Sequence, residues 1–180
     1  MHDPALATPW TTTWPATSKL ALYRELAREL DALLTGERDF LASAANAAAA
    51  IFHALPELNW AGFYFLRGGE LVLGPFQGRP ACVRIPIGKG VCGTAAAERR
   101  TVLVADVEAF PGHIACDAAS RSELVVPLFA GTRLLGVLDL DSPLIGRFDE
   151  ADSEGCELLA KIVGERLAGA IYPPYPYGAE

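Results

Sequence analysis

Three of the four cysteines in this 180-residue chain lie in or beside glycine- and proline-rich loops near its middle: Cys82 in PACVR, Cys92 in KGVCGT and Cys116 in GHIACD. Further on, the run GVLDLD sets Asp139 and Asp141 two residues apart. In a strand that spacing puts both carboxylates on one face and Leu138 and Leu140 on the other. Glu123, in the preceding apolar run, is placed to join them from a neighbouring strand. Carboxyls crowded on a buried face repel one another and lose their hydration, and both effects favour the protonated form. Thiols beside a carboxylic acid kept neutral in this way suit the reduction of an oxidised sulfur such as a sulfoxide. The thiolate attacks sulfur and the acid gives a proton to the departing oxygen. A second cysteine then condenses with the resulting sulfenic acid to a disulfide that a reductant reopens. Taken alone, the DLD pattern is served equally well by carboxylates that receive loop amides at a strand end.

The bulk composition narrows the partners. Apolar residues make up 51% and charged residues 21%, the balance of a soluble globular domain rather than a disordered or membrane chain. A net charge of −7 and the lack of any Lys/Arg run exclude the concentrated basic face of a nucleic-acid binder. Residues 40–55 form the longest nearly uncharged stretch outside the N-terminus. That stretch is mostly alanine, contains Asn46 and His53, and is too short to span a bilayer. The N-terminal residues show no cationic start followed by an apolar run, so a cytoplasmic, reducing location is expected. There, cysteines serve metal or redox chemistry more often than structural disulfides. His113 would complete a Cys₃His set with Cys82, Cys92 and Cys116, but no C-x₂-C pair is present and no metal is expected. Cys156 shares a helical face with Leu159, Val163 and Leu167 and reads as a small core side chain.

The elements that position these groups follow from periodicity. Residues 1–17 are rich in Thr, Pro and Trp, without a period, and read as an extended arm in which Trp10 and Trp14 are free to pack. From residue 18, Leu20, Tyr23, Leu26, Leu30 and Leu34 recur at helical spacing until Gly36. A second helix is predicted over 37–54, ended by Pro56. The period then drops to two. Residues 59–66 and 70–76 read as strands joined by a turn at Gly68–Gly69. A short strand over 81–85, a glycine-rich turn over 88–93, a short helix over 94–99 and a strand near 102–104 follow. Residues 106–120 read as a long loop, 123–129 and 133–141 as a hairpin across Gly131, and 149–168 as a last helix capped by Asp149. Residues 171–180, opening IYPPYPY, read as a tail. The pattern predicts one α+β domain over 18–170, its antiparallel sheet covered by helices.

The stretches LGPFQGRPACVRIPIGKGVCGTAAAERR, AFPGHIACDAASRSELVVPLF and GVLDLDSPLIGRFDEAD resemble the free methionine-(R)-sulfoxide reductase family, a group of GAF-fold enzymes, over residues 59–167. The resemblance implies a GAF domain and an oxidoreductase that reduces free L-methionine-(R)-sulfoxide under oxidative stress. Thioredoxin would be its external reductant, with no bound cofactor. It implies that Cys116 is the nucleophile and Cys82 the resolving partner, with Cys92 an alternative partner or a relay to the reductant. It places Glu123, Asp139 and Asp141 around the sulfoxide and amino groups, and Trp60 and Tyr64 against the methylthio end. Apart from the resemblance, aromatics at Trp60 and Tyr64 are ordinary core packing for a sheet face. A homodimer is expected on the same grounds. GAF domains also act as small-molecule sensors without catalysis, but such modules need no set of loop cysteines.

Overall fold

The computed structural model describes residues 19–112, 114 and 118–170. The N-terminal arm, the C-terminal tail, His113 and Cys116 lie outside the described residues. Helix α1 (Lys19–Leu34) buries Tyr23, Leu26, Ala27, Leu30 and Leu34 on one stripe, and Gly36 follows it with a positive φ of 83°. Helix α2 (Phe40–Ala54) opens three residues later than the periodicity predicts. Its N-cap is Asp39, whose carboxylate accepts from the Ala42 amide at 2.8 Å, while Glu37 accepts from the amides of Arg38 and Asp39 before the helix begins. Leu55 is extended at its end because a residue preceding proline is driven out of the helical region.

Strands β1 (Trp60–Arg67) and β2 (Glu70–Gly78) form the expected hairpin, with Gly68 and Gly69 both at positive φ. β2 runs on through Gly74 and Pro75, where the sequence suggests a break, by means of a register shift opposite Gly62 and Tyr64. A Cβ at Gly74 would lie 2.6 Å from the Phe65 ring, so a strand residue without a side chain is what lets that ring lie there. β3 (Arg84–Pro86) starts three residues after the predicted strand. Helix α3 (Gly90–Glu98), β4 (Val102–Val104), a single 3₁₀ turn at Val107–Ala109, β5 (Ser122–Ala130), β6 (Arg133–Ser142) and helix α4 (Glu150–Ala168) complete the chain.

The six strands pair antiparallel throughout in the order β3-β2-β1-β6-β5-β4, which makes β6 a central strand between β1 and β5. Strand parity then sorts the core into two clusters. Ala61, Phe63, Phe65, Leu124, Val126, Leu128, Leu138 and Leu140 pack under α1, α2 and α4. Trp60, Tyr64, Val125 and Val137 face the other way, beneath Val91, Cys92, Ala95 and Ala96 of α3. Cys156 lies fully buried in the first cluster, as its helical face predicts, and burial pushes its thiol up to about 12. Among the described residues, no helix is long and apolar enough to cross a membrane.

A buried polar junction fixes the helical layer. Asp149 and Asp152 form a reciprocal capping box at the start of α4. Asp152, with no exposed surface, accepts from the Tyr23 hydroxyl at 2.8 Å and from Lys19 Nζ at 2.7 Å, and Arg147 Nη1 lies 3.1 Å away. The Lys19 pair with Asp152 and Asp149 joins the first turn of α1 to that of α4. At Gly155, one turn further, a Cβ would lie 2.1 Å from the Tyr23 ring, so the two helices touch backbone to aromatic face. Asp152→Ala removes the buried carboxylate nearest the Arg147 guanidinium, leaving it the more distant, half-exposed Glu57, and should cost about 3 kcal/mol. For a domain of this size, calorimetry should record a Tm lower by roughly 6–12 °C.

Candidate active site

The face of the sheet below α3 carries Glu123 and Val125 from β5, Val137, Asp139 and Asp141 from β6, and Trp60, Gly62 and Tyr64 from β1. The register sets Asp141 between Glu123 and Trp60, and Asp139 between Val125 and Gly62. The two aspartates therefore share a face, as their spacing predicts, and Glu123 does join them. Their environments differ: Glu123 and Asp139 are each only 6% exposed, whereas Asp141 is half-buried.

Gly62 makes room for this arrangement. A Cβ there would lie 2.4 Å from Phe76 Cβ and 2.7 Å from the Trp60 ring. The missing side chain lets the Trp60 indole lean along the strand, stacked on Tyr64 with centroids 5.9 Å apart and on Phe76 at 5.3 Å. Both aromatics also use their polar ends. The Trp60 indole N–H donates to the Arg79 carbonyl at 3.1 Å, and the Tyr64 hydroxyl donates to the Cys82 carbonyl at 3.0 Å. These bonds hold the segment before β3 against the sheet. The sequence-predicted aromatic wall is thus also the anchor of Cys82. Cys82 is disulfide-bonded, while Cys92 and Cys156 are free thiols.

Cys92 is the site residue whose setting differs most from expectation. It sits inside α3 rather than in a glycine-rich turn, and is 3% exposed. The helix starts four residues earlier than predicted. Gly90, at φ 62°, enters it directly, and a Cβ at Gly93 would lie 2.4 Å from the Pro86 carbonyl, so glycine there lets α3 pack onto the end of β3. This lowers the Cys92 thiol onto the carboxyls, with Sγ 3.9 Å from Glu123 Oε1. A relay to an external reductant would have to reach solvent from this buried position.

The electrostatics follow from burial. Loss of hydration, then the charges of Asp139 and Asp141, hold the Glu123 carboxyl well above the usual carboxylate range. Burial pushes Asp139 up to about 7, against the pull of its hydrogen bonds to Cys92 and Glu123. Burial and then the charges of Asp139 and Glu123 raise the Cys92 thiol. Near neutral pH the Glu123–Asp139 pair therefore retains at least one proton, since two adjacent buried carboxylates cannot both ionise cheaply. The arrangement is a proton donor beside a protonated thiol, not a pre-formed thiolate at Cys92.

Asn59, which the motif reading passed over, connects this face to Ser120, two residues before β5. Its backbone N–H donates to the Asp141 carbonyl at 3.0 Å, and its side-chain amide donates to Ser120 Oγ at 3.0 Å, at the end of the stretch that includes Cys116. Gly62 and Asn59 carry weak sequence signals: a glycine inside an aromatic strand, and a polar residue at the strand's first step.

The chain matches the family model for a GAF domain over residues 37–168. It is 53% identical over 148 residues to protein YtsP of Bacillus subtilis, covering 81% of this chain and 91% of the relative. It is 48% identical over 158 residues to the free methionine-R-sulfoxide reductase of Escherichia coli, covering 88% and 96%. The free methionine-R-sulfoxide reductase of Neisseria meningitidis, solved in complex with its substrate, superposes with a TM-score of 0.81 at 48% identity, covering 86% of this chain and 94% of that one. With a GAF-domain match, a superposing fold and this degree of identity along nearly its whole described length, the chain belongs to the free methionine-R-sulfoxide reductase family of GAF-domain proteins.

Proposed function

We propose that this protein reduces free L-methionine-(R)-sulfoxide to methionine. The observation that carries the reading is the buried Glu123–Asp139 pair, protonated near neutral pH and walled by Trp60 and Tyr64, in a chain 48% identical to a reductase of that substrate. In this reading the Cys116 thiolate attacks the sulfoxide sulfur. A carboxyl of the pair protonates the oxygen, and the S–O bond breaks as methionine leaves and Cys116 becomes a sulfenic acid. The substrate sulfur gains two electrons and the cysteine sulfur loses them. The Cys82 thiol then attacks the sulfenic acid, water departs and a disulfide forms, which a dithiol reductant of the thioredoxin class reopens. The disulfide at Cys82 supports its part as resolving cysteine, and the burial of Cys92 favours Cys82 over Cys92 for that step. Asp141, the more open of the three acids, suits the substrate ammonium group.

The direct test supplies thioredoxin, its reductase, NADPH and free L-methionine-(R)-sulfoxide. NADPH should be consumed, and silence beside a working control reductase would refute the reading. Cys116→Ser should abolish even one turnover, whereas Cys82→Ser should release one equivalent of methionine per protein and then stall. Glu123→Gln should lower kcat by about a hundredfold with KM little changed, as expected for loss of a general acid.

The raised carboxyl also predicts a stability profile. Asp139 titrates near 4 in the unfolded chain and at about 7 in the folded one, so the folded state holds its proton longer. The contribution is complete below about pH 4 and lost as pH rises towards 7. Thermal unfolding measured across that window should show Tm falling with pH, and Asp139→Asn should flatten the fall.

A further inference from the structure

Cys92, Glu123 and Asp139 offer one sulfur and two carboxylate oxygens that all lie within 4.8 Å of one another. They come from α3, β5 and β6, so their meeting is a product of tertiary packing rather than of a local motif. A second feature belongs to the same trio: Asp139 Oδ1 is buried and has no hydrogen-bond partner, in a residue only 6% exposed. A buried carboxylate oxygen without a donor is costly unless a ligand supplies the missing partner. We propose that this trio binds a thiophilic divalent cation, Zn²⁺ in the cell, and that the bound ion competes with the sulfoxide substrate.

The donor set selects the ion. One thiolate with two carboxylates suits zinc, while magnesium and calcium require oxygen-only shells. Zn–S and Zn–O bonds of about 2.3 and 2.1 Å place tetrahedral sulfur and oxygen ligands roughly 3.5 Å apart. The 3.9 Å between Cys92 Sγ and Glu123 Oε1 needs to close by only a few tenths of an ångström. Three protein ligands leave a fourth position for water or an incoming group. Binding involves no electron transfer: the sulfur–zinc bond replaces the S–H bond, and the displaced protons go to solvent. Cys92 is free while Cys82 is disulfide-bonded, so the site exists in the oxidised protein too. The competition with substrate rests on the proposed function; the binding itself does not.

The experiment uses the full chain purified without reductant, so that the Cys82 disulfide stays closed. Co²⁺ titration should produce a near-ultraviolet sulfur-to-cobalt absorption band, discharged by one equivalent of Zn²⁺. Cys92→Ser should lose the band, and Asp139→Asn should weaken Zn²⁺ binding by more than about tenfold. Cys156→Ala, altered on the opposite face of the sheet, should keep both the band and the affinity. No band in the unaltered protein, or equal Zn²⁺ affinity in Cys92→Ser, overturns the site. Should Cys92→Ser not fold, Glu123→Gln serves the same purpose, and unchanged affinity there counts equally against it. In the coupled assay Zn²⁺ should raise KM for the sulfoxide and a chelator should restore it; an unchanged KM at saturating Zn²⁺ overturns the competition. A protein that binds Zn²⁺ through Cys92 yet reduces no sulfoxide keeps the metal site and loses the proposed function.

Discussion

Two carboxyl groups in adjacent central strands, taken out of water together, set the terms for the rest of this site. Glu123 and Asp139 cannot both be ionised in that setting without a large loss of hydration and strong mutual repulsion. At least one proton must be kept, and the surroundings make this tolerable: the Cys92 thiol at 3.9 Å, the hydrogen bond between the two carboxyls, and the stacked rings of Trp60 and Tyr64 on the same face. A neutral acid of this kind is what the proposed reduction requires, and the family to which this chain belongs includes free methionine-R-sulfoxide reductases.

The stability needed to hold that pair comes from the other face. Leu124, Leu138 and Leu140 alternate with Glu123, Asp139 and Asp141 along the same two strands and sink completely into the helical layer. Sliding either strand by one residue would bring the leucines to the acid face and the acids under the helices, so the apolar side fixes the register of the chemical side. The close approaches of α4 reinforce this. Gly155 admits the Tyr23 ring, and at Gly164 a Cβ would stand 2.1 Å from the Phe129 carbonyl, so α4 lies almost directly on β5. The Asp152 junction then ties α4 to α1 and to Arg147 in the segment leaving β6.

Backbone contacts carry that order into the site. Asn59 donates to the Asp141 carbonyl, Arg121 donates to that of Ser142, and Val107 donates to that of Arg121. The far end of β6, the start of β1 and the chain entering β5 are thereby laced together. Tyr64 and Trp60 do the same for Cys82 through carbonyl contacts. Cys82 thus adjoins a segment anchored to the sheet face that carries the acids.

What the sequence determined by itself was whatever depends on near neighbours. Strand parity put Asp139 and Asp141 on one face, helical spacing put Cys156 in the core, and Gly36, Gly68 and Gly69 marked ends and turns. It was also enough to identify the family through the cysteine-bearing stretches. Only the tertiary structure decided that Cys92 lies over Glu123, 31 residues away, that Gly62 clears space for the Trp60 ring, and that Asp139 is sealed while Asp141 stays half open. The reason is physical: periodicity reports which way a side chain points, whereas burial, proton affinity and ligand geometry depend on what the rest of the fold brings up against it.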